Sequence, residues 1–413
     1  MNTNILNITA REILDSRANP TIEATVILEG GACGSASVPS GASVGKYEAH
    51  ELRDRDPKRY GGAGVLSAIH GIENIIAPSL IGMSATDSAE IDAVMQKTDN
   101  TENKSNLGAN AILAVSLATA RAASVALGVP LYKYLGTSGE IKLPVPMLNI
   151  LNGGAHASNN LEIQEFMIVP VGIERFSERL RAGSEIYKKL ASILRSRGYS
   201  TSVGDEGGYA PNLSSDTEAC ELILEAIEAA GYDTDKVKIA LDVASSEWYD
   251  KGEYKMAKSG KVYTSGELCD YYSALVERYP IISIEDGVGE EDYEGWKNLS
   301  ARLGDKIMLV GDDLFVTNEK RVKMGIDMGI ANSVLIKPNQ IGTLTETLRV
   351  IKTSAECGYK PIISHRSGET EDSFIADLAV ATRAPYIKSG APCRSERLSK
   401  YNRLLAIEAE ILK

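Results

Sequence analysis

Beyond about residue 140 the chain repeats one pattern of polarity, in which a short apolar run closes on a polar or ionisable residue. KIALDVA reaches Asp242, IISIEDG Glu285, IMLVGDD Asp312, SVLIKPN Lys337, KPIISHRSG His365 and APYIKSGAP Lys388. The steps between these residues are 43, 27, 25, 28 and 23. After the longer first step, each leaves room for a strand, a helix and two loops. Continuous apolar runs suit strands covered on both faces of a parallel sheet. The pattern therefore predicts a (β/α)8 barrel with its functional groups at the C-terminal ends of the strands. Upstream, LNILNGGAH and LEIQEFMIVPV supply two more strands. Two helices follow, one starting near Glu174 and one, DTEACELILEAIEAAG, capped by Asp216 and closed by Gly231. Two strands before two helices give the barrel an irregular ββαα start.

The first third of the chain reads differently. TIEATVILEG alternates as a strand, and the Ala-rich segment from Ala109 to Leu127 is a helix. That helix is apolar enough to raise the question of a membrane, but it carries Arg121 and stops at Gly128 and Pro130, which marks a buried helix with ordinary stop signals. LYKYLGTSGEIKLPVP, rich in Gly and Pro, sets the expected boundary between an α+β domain, 1–138, and the barrel, 139–413. The total of 413 residues accommodates a barrel of roughly 250 residues and a smaller partner.

Composition narrows the partners. A net charge of −12 argues against nucleic acid or anionic membrane as a main partner, so an anionic substrate must find its positive charge within the site. The five cysteines are odd in number and lack paired spacing, as expected of reduced thiols in a cytoplasmic protein with neither zinc site nor disulfide framework. MNTNILNITAREILDSR shows no basic stretch followed by an apolar one, so no secretory signal is expected.

At the strand ends, Asp242, Glu285 and Asp312 are expected to share one mouth. Three bare carboxylates repel and raise one another's pKa unless a cation sits among them, and an all-oxygen donor set selects a hard ion such as Mg²⁺. Any one of them alone is more simply a helix cap or half of a surface pair. Lys337 follows an apolar run and precedes Pro338, which keeps it extended at the strand's end. A lone lysine there would send its ammonium to water, but beside a divalent cation, with Lys388, His365 and Arg366 on the following strands, it is placed to act as a base. A metal beside a lysine base suits removal of a proton alpha to a carboxylate, for which enolase-superfamily sites are the standing example.

At this point a resemblance takes over. SGAS, LNGGAHASNN, QEFM, GDEGGYAPN, LDVASSE, SIEDG, GDDLFVTN, IKPNQIGT, SHRSGETEDS and IKSGAPCRSER resemble the signature segments of the enolase family, in the family's order and across nearly the whole chain. The resemblance implies dehydration of 2-phosphoglycerate to phosphoenolpyruvate with two Mg²⁺ per site. It makes Lys337 the base at C2 and Glu206 the acid at C3. Asp242, Glu285 and Asp312 hold the first metal, and Ser43 helps to hold the second. Arg366 and Ser367 match the phosphate positions, with His365 beside them; Lys388 lies near the substrate carboxylate, and His156, Gln164 and Glu165 line the C3 side. A homo-oligomer, dimer or larger, and a moonlighting fraction at the cell surface are further implications.

Three departures accompany the match. Ala18 stands in DSRANPT where the family usually has glycine, Val44 replaces the usual threonine after Ser43, and Pro338 follows the base where other apolar residues are common. Two alternatives remain at this stage: another barrel enzyme that abstracts an α-proton, such as a racemase or cycloisomerase, and a binding protein on a retained scaffold. The former leaves SHRSGETED and APCRSER without a use; the latter would be free to lose the acid and base.

Overall fold

The computed structural model describes residues 2–41, 45–136 and 139–413. Strands Ile5–Leu14, Pro20–Leu28 and Cys33–Ser37 form an antiparallel sheet in chain order. Helix Ala109–Leu127 packs on this sheet and is buried along nearly all its length, which is where its apolar composition goes. The approach is so close that a Cβ on Gly34 would lie 2.3 Å from the Ala122 nitrogen. Ala118 and Ala122 on the helix and glycine on the strand let the two backbones meet. The helix ends where Gly128 turns left-handed.

Eight strands then close a barrel: Val145–Asn152, Glu165–Val169, Lys238–Asp242, Ile281–Glu285, Met308–Gly311, Ser333–Ile336, Lys360–Ser364 and Tyr386–Lys388. The last pairs with the first, Tyr386 opposite Val145. Met147, Met167, Val169, Ala240, Met308, Val310, Leu335 and Ile362 fill the interior, so it is a packed core and not a pore.

Glu165–Val169 runs antiparallel to both neighbours, and all other pairs are parallel. With two helices, Phe176–Ser196 and Asp216–Ala229, coming next, this is the irregular ββαα start. Reversal has a direct consequence for chemistry. A parallel strand offers its last residue to the mouth, whereas this one offers its first, and Glu165 pairs with Asp242 at the end of the neighbouring strand.

The helix expected near Glu174 begins at Phe176, where Glu408 from the last helix accepts the Phe176 and Ser177 N–H groups at 2.6 and 3.0 Å. One detail differs from expectation. Asp216 is not the cap of its helix. Ser215 is, with its hydroxyl accepting the Glu218 N–H at 3.2 Å. Asp216 turns away to accept the Glu162 and Ile163 N–H groups, supporting the loop before Glu165.

Candidate active site

One polar pocket at the barrel mouth is lined by His156, Gln164, Glu165, Glu206, Asp242, Asp312, Lys337, His365, Arg366, Ser367 and Lys388. Glu285 is buried beneath the Lys388 ammonium. Ser43 and Val44 lie outside the described residues. Ala18 takes a φ of +60°, so alanine occupies the left-handed turn itself, with Asp15 Oδ1 accepting the Arg17 and Asn19 N–H groups around it.

Lys388 is the internal cation of the acidic cluster. Its Nζ donates to Asp242 Oδ2 at 2.7 Å and to both Glu285 oxygens at 2.9 Å, and it lies 3.4 Å from Glu165 Oε2. Burial opposes the charge, yet Asp242, Glu165 and Glu285 outweigh it and push the ammonium's pKa well up. Burial also pushes the Glu285 carboxyl well up, and Asp242 adds to this.

The third expected ligand, Asp312, faces elsewhere: it contacts Lys337 Nζ and accepts from Gln340 Nε2 at 2.9 Å. It also shares a pocket of oxygens within 4.8 Å with Asp286 and Asp313. Burial, then Asp312, raises Asp313 to about 7. Two ammoniums, Lys388 and Lys337, thus serve a larger number of carboxylates, all of them hard oxygen donors. The residues present, Asp242 and Glu285 on one side and Asp312 with Asp286 and Asp313 on the other, have the chemistry that fits a hard divalent cation.

Lys337 is extended, φ −122° and ψ 102°, as Pro338 requires, and Pro338 opens a short helical turn. Its backbone N–H donates to Thr317 Oγ1 at 2.9 Å; that hydroxyl donates to Gln340 Oε1 at 2.8 Å. Burial lowers the ammonium's pKa, but Asp312 raises it further, so with protein charges alone Lys337 keeps its proton. A cation taking up the Asp312 charge removes that restraint.

Glu206 projects from the turn GDEGG. Gly207 has φ +87°, and a Cβ there would lie 3.0 Å from the Cys393 carbonyl oxygen. Asn149 Nδ2 donates to Glu206 Oε2 at 3.1 Å, and His156 Nδ1 lies 3.7 and 3.9 Å from Glu165 and Glu206. Burial and the neighbouring Glu206 push Glu165 well up. Burial alone would do the same to Glu206, but His365, His156 and Arg397 reverse it and hold that carboxyl low. Burial takes His365 down to about 4, so at neutral pH the ring acts as an N–H donor and not as a cation. The two shifts run in opposite directions, Glu165 up and Glu206 down, as for a carboxyl pair that shares one proton.

Lys337 and Glu165 stand across the mouth from each other. In the closed ring, the strands before Lys337 and after Glu165 stand four apart in either direction among eight.

Arg366 is buried, with Nη1 and Nη2 on the Glu48 carboxylate at 2.9 and 3.1 Å and Nη1 on Asn339 Oδ1 at 3.0 Å. Ser40 and Gly368 exchange both backbone hydrogen bonds, at 2.8 and 2.9 Å, tying the N-terminal segment to this loop. The sequence reading missed Glu48, Asp286, Asp313, Gln340 and Arg397. Asp286 and Asp313 directly follow named ligands in SIEDG and GDD, a signal that was available.

The loop carrying His156 is latched from outside by the hairpin of strands Tyr249–Asp250, Glu253–Lys255 and Val262–Thr264. Lys258 Nζ donates to the Gly154 and Leu161 carbonyls, both at 2.8 Å, and lies 3.4 Å from that of Ala157. Glu162 answers by accepting the Lys258 and Ser259 N–H groups at 2.9 and 2.5 Å. For Lys258→Met, amide hydrogen exchange across 153–163 is expected to speed up roughly tenfold, with the rest of the barrel unchanged. Unchanged exchange in that loop counts against the latch.

Comparison with family models agrees with this architecture. The enolase N-terminal domain model matches residues 5–135, and the enolase C-terminal TIM barrel domain model matches 140–413. The chain belongs to the enolase family. An enolase-type enzyme on this scaffold is a lyase, and its acidic clusters are of the kind that hold a metal.

Proposed function

We propose that this enolase-family chain interconverts 2-phosphoglycerate with phosphoenolpyruvate and water, using two Mg²⁺ per site. The observation that carries the reading is the opposed placement of Lys337 and Glu165 across one pocket, which Glu206 and a buried arginine also line. A proton and a hydroxide can then leave adjacent carbons from opposite faces.

Lys337 Nζ takes the proton from C2. The Glu165 and Glu206 pair gives its proton to the departing C3 hydroxyl, which leaves as water, while His156 and Gln164 line that side. The Arg366 fork and Ser367 hold the phosphate, a group that does not react, and so fix the substrate's register. Lys388 adds positive charge toward the substrate carboxylate. Asp242, Glu285 and Asp312 would hold one Mg²⁺ and Ser43 would help to hold the other. When bound, these ions supply the charge that makes proton loss beside a carboxylate accessible.

The arginine favours this substrate over the unphosphorylated acids that a racemase or cycloisomerase would take. Family membership also supports assembly as a homo-oligomer. Incubation with 2-phosphoglycerate and Mg²⁺ is expected to yield phosphoenolpyruvate, read by its ultraviolet absorbance, and a chelator is expected to stop it. No product at saturating Mg²⁺ would refute the reading and leave a binding role.

A further inference from the structure

Arg397 lies in the last helix, Ser395–Ile411, and is fully buried. Its Nη1 donates to His365 Nδ1 at 2.7 Å and to the Arg366 carbonyl at 2.5 Å. Its Nη2 donates to the carbonyls of Ser367 and Asp205 at 2.6 and 3.0 Å. A guanidinium has donors only and does not lose its proton in a protein. Two N–H groups cannot face each other at 2.7 Å, so His365 Nδ1 must present its lone pair and the ring proton must sit on Nε2. That Nε2 is buried, has no hydrogen-bond partner among the described residues, and stands 3.4 Å from Glu206 Oε2 on the pocket wall.

We propose that Arg397 is a positioning residue that fixes His365 as the neutral Nε2–H tautomer, aiming a donor at the Glu206 carboxylate and the C3 side of the pocket. The opposite tautomer would turn a lone pair toward Glu206, repelling the carboxylate or taking its proton. With the donor in place, Glu206 is supported as an anion. That is the form it takes after giving up a proton in dehydration, and the form it needs to accept one from water in the reverse direction.

Glu206 and Glu369 favour an imidazolium, while burial and Arg397 oppose it. The guanidinium also holds Asp205, next to Glu206, and Arg366 and Ser367, next to His365. Ring and carboxylate are thereby kept in register by one side chain. The catalytic meaning of this inference rests on the proposed C3 role of Glu206, but the tautomer does not.

The chain has four histidines, so nitrogen-15 imidazole spectra of the full-length protein are sparse enough to assign by a His365→Gln control. In the wild type without substrate, His365 is expected to show a proton on Nε2 and a bare Nδ1 from pH 5 to 8. Arg397→Leu is expected to give mixed tautomers and a ring that titrates in this range. Arg397→Lys, which keeps one donor, is expected to retain the Nε2–H form. A wild-type ring protonated on Nδ1, or on both nitrogens at pH 7, overturns the proposal, and so does a Leu variant with the wild-type tautomer. Should Arg397→Leu fail to fold, the wild-type and Lys spectra still decide. Dehydration is read separately, with a roughly 10²-fold lower kcat expected in Arg397→Leu and partial recovery in Arg397→Lys. Absence of dehydration in the wild type would remove the proposed reaction and leave the tautomer result standing.

Discussion

Lys337→Ala is expected to abolish both dehydration of 2-phosphoglycerate and exchange of its C2 hydrogen with deuterated solvent, whereas Glu206→Gln is expected to lose only the first. Lys337 and Glu165, the partner of Glu206, stand at the mouth on opposed strands of the ring, and on the proposed reading Lys337 and Glu206 act on different bonds. Glu206→Gln keeps the shape, the Asn149 contact and Lys337, but it can neither carry nor pass on the proton it shares with Glu165. Dehydration should fall by the roughly 10²–10⁴-fold typical of a general acid–base group. Burial and the neighbouring Glu206 push Glu165 up, while His365, His156 and Arg397 hold Glu206 down against burial, so Glu165→Gln should be at least as damaging. Nuclear magnetic resonance of substrate recovered from D₂O with Mg²⁺ reads the exchange directly. Exchange by Lys337→Ala, or none by Glu206→Gln with substrate and metal demonstrably bound, would show the two roles to be wrongly assigned.

Asp312→Ala is expected to weaken Mg²⁺ binding by more than the roughly 10–100-fold that loss of a mere supporting partner costs, and to stop turnover, without unfolding the protein. Two of three protein ligands remain for an ion that demands near-ideal octahedral geometry. Folding should survive because the substitution also relieves crowding. Asp312 is among the charges that raise both Asp286 and Asp313, so deleting it removes a repulsion while costing Lys337 its partner. Calorimetric titration with Mg²⁺ and a thermal melt in chelator measure the two effects. Unchanged affinity would remove Asp312 from the ligand set.

The barrel was legible because apolar runs at near-constant spacing are a local property of the chain. So was the extended lysine before Pro338, since one peptide unit enforces it. The neutralising role of Lys388 was not legible, because it donates to residues 146 and 103 positions earlier. Arg366 and Glu48 are separated by 318 positions and Arg397 and His365 by 32, and no local pattern couples them. The misread cap shows the converse. Asp216 has the right chemistry for a cap, but the chain supplied Ser215 one residue earlier and used the carboxylate for a neighbouring loop. Local propensity offered two candidates, and tertiary contacts chose between them.

Closure of the barrel between Tyr386–Lys388 and Val145–Asn152 gives the site an order in time. A growing chain leaves the ribosome N-terminus first. Glu165, Asp242, Glu285 and Asp312 are all made before Lys388, the ammonium that contacts three of them, and before Arg397, which sets His365. Until the final strand is in place, Glu165, Asp242 and Glu285 lack the Lys388 ammonium and the mouth is not closed. A nascent chain halted short of residue 386 should therefore hold its barrel segments open, with the acidic cluster in water. The last strand and helix complete the fold and bring Lys388 to the carboxylates in the same step.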